Sequence, residues 1–145
     1  MNSCEIRHNA AGEPRIVSET GLICLIGGGA VDFEAVQDLV VRGAILVAAD
    51  GGADHARALG LRPVAVIGDM DSISPETRDQ FGDVLHHIPE QDSTDFEKSL
   101  RVLDVAGIIG FGFLGPRADH GLAAMQALAR HQGAPVILQS AQDVV

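Results

Sequence analysis

Short apolar runs alternate along this chain with stretches of helical apolar spacing, and this alternation constrains the fold more than any other feature. The first run, at residues 22–26, is apolar throughout and ends in three consecutive glycines. After it, Phe33, Val36 and Val40 recur at the spacing of one helix face. Continuous apolar strands that alternate with helices are typical of a parallel sheet covered on both faces. The sequence therefore predicts an α/β fold: three α/β/α layers with a mostly parallel, Rossmann-like sheet.

The same pattern continues to the last residues of the sequence. Further helices are predicted at residues 53–59, after Ser74-Pro75, after Thr94, and where Leu122, Met125 and Leu128 recur. Further strands are predicted at residues 44–49, 64–67, 84–88, 108–114 and 135–138. We expect residues 1–20 to be an irregular segment and residues 21–145 to form one domain.

Composition excludes several classes of function. The net charge of −10 argues against a nucleic-acid partner, which would require a basic surface. No apolar run approaches the ~20 residues of a membrane helix, and the start lacks the pattern of a signal peptide, so we expect a cytoplasmic protein without a membrane partner. Cys4 and Cys24 are too few for a disulfide framework or a zinc site, and Cys24 is expected to be a buried thiol.

Acidic clusters occur where predicted strands end. Because the carboxyl ends of parallel strands meet at one edge of a sheet, we expect these carboxylates to lie close together. Their mutual repulsion is relieved only by a cation, and Mg²⁺ prefers oxygen ligands and accompanies phosphates. The sequence thus predicts a Mg²⁺-nucleotide site. The clusters are Asp50-Gly51-Gly52, Gly68-Asp69-Met70-Asp71-Ser72, Gln91-Asp92-Ser93-Thr94-Asp95 and Arg117-Ala118-Asp119-His120.

Each cluster also has an ordinary structural interpretation. Asp50 is either a ligand or the N-cap of the next helix. The spacing of Asp69 and Asp71 favours metal binding over an Asx-turn. Thr94 and Glu97 form a capping box.

The remaining candidates carry similar alternatives. Residues 27–29, with Gly28 at their centre, form either a phosphate cradle or a tight turn. Lys98 either reaches a phosphate or makes a surface ion pair, and the ion pair is the commoner outcome. Arg117 is suited to bidentate phosphate contacts, whereas His120 is more commonly a helix-start residue. His86 and His87 are expected on the surface.

Taken in order, the four clusters resemble those of the thiamine pyrophosphokinase family, and the resemblance runs from about Leu22 onward. The resemblance implies transfer of pyrophosphate from ATP to the hydroxyl of thiamine, giving thiamine diphosphate and AMP. It implies Mg²⁺ as the cofactor, bound by Asp69, Asp71, Asp92 and Asp95. It implies catalytic roles for Asp71, Asp95, Arg117 and Asp119, with Asp71 or Asp95 taking the thiamine proton. It places Gly28, Asp50, Gly51, Ser72, Gln91, Thr94, Lys98, Arg117 and His120 at the nucleotide.

Two departures from the family pattern limit what the resemblance implies. Pro116 replaces the second glycine of the motif that presents Arg117, which stiffens that loop and removes one backbone N–H. The family's C-terminal β-domain, which helps to form the thiamine pocket in a homodimer, has no counterpart in this sequence. Two alternatives therefore stay open: a pyrophosphokinase with another acceptor, such as a hydroxymethylpterin, and a non-catalytic nucleotide-binding module.

Overall fold

The computed structural model describes residues 7–8, 14–15, 17–18, 21–68, 73–88, 94–104, 106–113 and 135–139. Within these ranges ten strands and four helices are formed. The strands are β1 (Arg7–His8), β2 (Pro14–Arg15), β3 (Val17–Ser18), β4 (Leu22–Ile26), β5 (Ile45–Ala49), β6 (Ala65–Gly68), β7 (Leu85–His87), β8 (Leu103–Asp104), β9 (Gly107–Phe111) and β10 (Val136–Gln139). The helices are α1 (Phe33–Val41), α2 (Gly52–Ala58), α3 (Pro75–Gln80) and α4 (Asp95–Val102), and a 3-10 turn spans Gly82–Val84.

A six-stranded sheet forms the centre of the described residues. Its strand order is β10-β9-β4-β5-β6-β7, and every neighbouring pair is parallel. Strands β4 to β7 are added in sequence toward one edge, and the chain then returns to place β9 on the other side of β4. The order therefore reverses between β4 and β9.

Each face of the sheet carries its own apolar core. Along β4, Ile23 and Leu25 point to one face, where Phe96 and Leu100 of α4 cover them. Cys24 and Ile26 point to the opposite face, where α1, α2 and α3 pack. This period of two is what an extended strand imposes on a continuous apolar run. The structure thus confirms the predicted three-layer α/β/α fold, with an entirely parallel six-stranded sheet.

Local capping chemistry explains where the helices begin. The Asp32 carboxylate accepts a hydrogen bond from the Ala35 amide at 3.2 Å and begins α1. Ser74 accepts one from the Thr77 amide at 3.3 Å and begins α3, with Pro75 as the first helical residue, as predicted.

Several predicted boundaries differ from those in the structure. Strand β9 ends at Phe111 and not at residue 114, because Gly112 adopts a φ of +83° that leaves the extended conformation. Leu103, predicted on the face of a helix, lies in β8, which pairs with β3. In the segment predicted to be irregular, the structure describes three two-residue strands. The helix predicted around Leu122, Met125 and Leu128, as well as Cys4, lies outside the described residues.

Two further sequence expectations concern burial. Cys24 is fully buried, and burial raises the pKa of its thiol to about 12, so the group stays protonated and unreactive. No helix in the described part of the chain is long and apolar enough to cross a bilayer.

Candidate functional site

The loops that follow β4 and β9 meet at the point where the strand order reverses. Open parallel sheets bind ligands in the crevice at such a switch point, outside the carboxyl ends of the strands. The Gly27 amide donates to the Phe111 carbonyl at 2.6 Å, and the Gly29 amide donates to the Gly112 carbonyl at 3.0 Å. Two short turns are therefore joined backbone to backbone beside the predicted site.

The close approach of these two turns leaves no room for a side chain at most of their glycine positions. A Cβ on Gly29 would lie 2.6 Å from the Gly112 carbonyl oxygen, and one on Gly112 would lie 2.6 Å from that of Gly27. The tight-turn interpretation therefore accounts for Gly27, Gly29 and Gly112. Gly28 differs, because it is exposed and a Cβ there would be 3.6 Å from the Gly51 Cα, at ordinary contact distance. Packing does not require a glycine at position 28, so the phosphate-cradle interpretation still applies to it.

Asp50 follows β5 in an unusual conformation. It is 4% exposed, and its φ of 44° makes it the one residue other than glycine with positive φ in the described ranges. Its amide donates to the Ile67 carbonyl at 2.8 Å, which ties the turn to the end of β6. The N-cap of α2 is Gly51, without a side-chain capping bond, so the N-cap interpretation of Asp50 is wrong. A buried carboxylate in a strained turn is typical of a functional position.

The end of β6 lies directly beside this turn. Gly68 has a φ of 145°, and its carbonyl accepts a hydrogen bond from the Ile88 amide at 2.7 Å. Asp69 follows Gly68 in the sequence, and the described part of β6 ends beside the turn that carries Asp50. Gly51 and Gly52 complete the turn after β5, and a side chain on Gly52 would overlap the carbonyl oxygen of Ile26.

Helix α4 begins near the same edge and packs against β5 and β6. Thr94 accepts a hydrogen bond from the Glu97 amide at 3.2 Å, which is one half of the predicted capping box. Lys98 is 1% exposed, so its interpretation as a surface ion-pair residue is wrong. A lysine is retained in such a position only where oxygen atoms compensate its charge.

The predicted acidic and basic ligands are described only in part. For Asp95 the backbone alone is described, as the first residue of α4. Among the described side chains no three His, Cys, Asp or Glu residues gather as a metal site would require. The other predicted site residues outside the described ranges are Asp69, Asp71, Ser72, Gln91, Asp92, Arg117, Asp119 and His120, and Pro116 lies there too.

Two adjacent residues of α2, Asp54 and His55, were not predicted as site residues. Asp54 contacts the start of α3, and His55 contacts the loop after β4. The Asp54 carboxylate accepts hydrogen bonds from the hydroxyls of Thr77 at 2.5 Å and Ser74 at 2.7 Å. Burial acts to raise the pKa of Asp54, but the bonds from Thr77 and Ser74 together outweigh it, and the pKa lies below its ordinary value. His55 Nε2 donates to the carbonyls of Gly28 at 3.3 Å and Gly29 at 2.8 Å.

The histidines of β7 lie on the last strand of the sheet. His87 is exposed, as expected, but His86 is half-buried. Burial lowers the pKa of His86 because the charged imidazolium is less well solvated there. The expectation of an exposed side chain is therefore met by His87 and only in part by His86.

Comparison with known protein families identifies the family of this chain. Residues 36–138 match the model of the thiamin pyrophosphokinase catalytic domain. The chain belongs to this family. All four acidic clusters fall inside the matched range.

Solved structures of thiamin pyrophosphokinases have the same fold. The protein from Geobacillus thermodenitrificans is 27% identical with a TM-score of 0.70, and the match covers 86% of this chain and 61% of that chain. The Bacillus subtilis protein is 26% identical with a TM-score of 0.69, over 86% of this chain and 62% of that one. The yeast enzyme, at 16% identity and a TM-score of 0.66, shows the common fold across 86% of this chain and 60% of its own. This chain thus spans about three fifths of the length of these thiamin pyrophosphokinases.

Proposed function

We propose that this chain carries the catalytic domain of a thiamine pyrophosphokinase, which transfers pyrophosphate from ATP to thiamine. The observation that carries the proposal is the family match, which includes every acidic cluster of the sequence. The fold supports it, because the turn after β5 and the end of β6 lie together at one edge of the sheet, where the Asp50 amide donates to the Ile67 carbonyl.

The donor set fits Mg²⁺ as the cofactor. Carboxylate oxygens are the ligands that this ion prefers, and the buried Asp50 lies beside the end of β6, which precedes Asp69 in the sequence. When bound, Mg²⁺ would neutralise charge on the triphosphate and on the oxygen that leaves. The proposed ligands are Asp69, Asp71, Asp92 and Asp95.

The chain's own residues would supply positioning and charge. The thiamine hydroxyl oxygen attacks the β-phosphorus of ATP, and the bond from that phosphorus to the α,β-bridging oxygen breaks, so AMP leaves with the electron pair. Asp71 or Asp95 takes the hydroxyl proton. Arg117 donates hydrogen bonds to the charge that develops on the transferred oxygens.

The remaining candidates would hold the nucleotide. Lys98 and Asp119 bracket the phosphates, and the exposed backbone at Gly28 offers room for a close approach. The other proposed nucleotide contacts are Asp50, Gly51, Ser72, Gln91, Thr94 and His120. Thiamine as the acceptor, the homodimer and the cytoplasmic location belong to this proposal as well.

A product assay with ATP, Mg²⁺ and thiamine, in which AMP is resolved from ADP, tests the proposal. We expect AMP and thiamine diphosphate in equal amounts, and AMP only when thiamine is present. The Asp71→Asn variant should lose activity on the order of 10²-fold, the scale of one transition-state electrostatic contact. Glu76→Gln, an exposed carboxylate on α3, is the matched control and should keep the rate.

Three results would contradict the proposal in different ways. ADP as the product would indicate an ordinary kinase. Turnover with a hydroxymethylpterin, but not with thiamine, would show that the acceptor is a different compound. Full turnover by Asp71→Asn would refute the assignment of the metal ligands.

A further inference from the structure

Asp54 links helix α2 to the beginning of α3. Its carboxylate accepts from the Thr77 hydroxyl at 2.5 Å, the Ser74 hydroxyl at 2.7 Å and the Ser74 amide at 3.3 Å. Thr77 is fully buried, and Ser74 is the residue that caps α3. A carboxylate only accepts hydrogen bonds, so a site with three donors matches its chemistry. Asp54 is therefore committed to protein donors.

His55 links the same helix to the loop after β4. Its Nε2 lies 2.8 Å from the Gly29 carbonyl oxygen and 3.3 Å from that of Gly28. Because carbonyl oxygens only accept, this nitrogen carries the hydrogen. The ring also packs against Phe33, with centroids 5.6 Å apart. The Gly29 amide is already bonded to Gly112, so both sides of the peptide between Gly28 and Gly29 are fixed.

Helix α2 is itself attached to the Asp50 turn. The Ala53 amide donates to the Asp50 carbonyl at 3.0 Å, and the Asp54 amide donates to the Gly51 carbonyl at 3.1 Å. The turns after β4 and β5 and the start of α3 are therefore connected through two adjacent side chains. Strands β4 and β5 are neighbours in the sheet, and their carboxyl ends belong to the candidate site.

We infer that Asp54 and His55 are positioning residues, which fix the Asp50 turn relative to the glycine loop and to the start of α3 so that the nucleotide phosphates meet a preformed edge. This inference rests on the proposed function. Neither residue is required to touch substrate. Asp54 acts on the site by holding Ser74 and Thr77 in place. His55 acts on it by holding the Gly28 and Gly29 carbonyls in place. Errors of about 1 Å in such placement are enough to cost ~10²-fold in rate.

Paired substitutions separate hydrogen bonding from packing. Thr77→Val keeps the volume of a fully buried side chain but removes the hydroxyl that donates a hydrogen bond to Asp54. Thr77→Ser keeps this hydroxyl and removes a methyl group. His55→Leu removes the donor to the glycine loop, whereas His55→Gln retains an N–H that reaches a carbonyl. Arg57→Gln is the control on the same helix, where an exposed side chain donates to Gln80 at 3.2 Å.

Affinity for ATP in excess Mg²⁺ is measured by calorimetry on this chain, well below the melting temperature of each variant. We expect Thr77→Val and His55→Leu to weaken ATP binding on the order of tenfold, the scale of one to two net hydrogen bonds. Thr77→Ser, His55→Gln and Arg57→Gln should stay within about twofold of the unmodified chain. A packing role predicts the opposite order for the two Thr77 variants, because serine leaves a cavity and valine does not.

Amide hydrogen exchange provides a readout that needs no ligand. His55→Leu should accelerate exchange of the Gly29 amide roughly tenfold, and His55→Gln should not, since local opening follows the loss of the bond to the loop. Equal ATP affinity in all variants, or losses that follow side-chain volume, would overturn the inference and leave the proposed function standing. If the unmodified chain bound no ATP in the presence of Mg²⁺, the proposed function would fail, and the positioning role would fail with it.

Discussion

Asp50 combines a strained backbone conformation with a proposed role in the site at the edge of the sheet. Its left-handed backbone conformation is unfavourable for a residue with a side chain, although Asp and Asn tolerate it better than most. Its burial takes the carboxylate away from bulk water. A buried carboxylate in this conformation is consistent with the proposed role in the site.

Substitution of Asp50 should separate backbone strain from side-chain chemistry. Asp50→Gly and Asp50→Ala both remove the carboxylate, but only alanine keeps the cost of a left-handed φ. We therefore expect Asp50→Gly to be more stable than Asp50→Ala by about 1 kcal/mol in urea unfolding. Equal stability of the two variants would show that the turn relaxes when its carboxylate is removed.

His86 predicts a pH dependence of stability. Because burial lowers its pKa in the folded state, the unfolded chain binds the proton more tightly, and stability falls as the pH drops below the ordinary value of 6.5. We expect this loss to be smaller in His86→Gln, measured by urea unfolding between pH 7.5 and pH 5. His87→Gln, at an exposed position, should keep the pH dependence of the unmodified chain. An unchanged pH profile in His86→Gln would refute the assignment.

Residue types alone did not reveal which polar side chains are buried. In the sequence Lys98 looks like a surface ion-pair residue, and His86 looks exposed because it has no acidic or cysteine partner at metal-ligand spacing, yet Lys98 is buried and His86 is half-buried. Their burial depends on α4 lying over the sheet and on the position of β7 beside β6. Such contacts join residues far apart in sequence, and no local pattern records them.

At the scale of elements, the two glycine turns at the reversal of strand order act as one unit. Gly27, Gly29 and Gly112 bring two backbones into contact, and this contact fixes where β4 and β9 end. The sequence shows the three consecutive glycines, but it does not show that Gly112 faces them. That pairing follows from the return of the chain to the far side of β4.

The two neighbouring glycines of the first turn should respond differently to alanine. Gly29→Ala would place a Cβ 2.6 Å from a carbonyl oxygen, whereas at Gly28 the nearest atom is 3.6 Å away. We expect Gly29→Ala to lower the free energy of unfolding by about 1–3 kcal/mol, as overpacked sites do. Gly28→Ala should change it by no more than about 0.5 kcal/mol. Thermal and urea unfolding measure both, and a reversed order would contradict the arrangement of the turns.

Element prediction succeeded where the signal is local. The apolar run of β4 and the serine-proline start of α3 fix their own boundaries, since side-chain pattern and capping act within a few residues. The end of β9 and the strand β8 were predicted incorrectly. The first depends on a turn conformation at Gly112, and the second on pairing with the distant β3.

For the whole molecule, the acidic character of the chain leads us to expect that its stability depends on cations. The net charge is −10, and in the proposed site several of the carboxylates converge at one edge. A divalent ion, together with the ligand that it brings, reduces the repulsion between these carboxylates.

ATP and Mg²⁺ should therefore stabilise the chain together. We expect the melting temperature to rise with both present, corresponding to about 2.7 kcal/mol at a ligand concentration 100 times the Kd. ATP with EDTA, and NaCl at matched ionic strength, are the controls and should give much smaller shifts. An equal shift with ATP and EDTA would refute metal-dependent binding.

The sequence by itself determined the fold class, the position of most strands, the helix starts at Ser74 and Thr94, and the family resemblance that the match over residues 36–138 confirmed. These features are local, because apolar periodicity, capping and short motifs each act over a few residues. Only the tertiary structure decided that Asp50 is buried in a left-handed turn and that Asp54 and His55 connect α2 to the start of α3 and to the loop after β4. These features arise because parallel strands separated by a helix bring distant turns to one edge of the sheet.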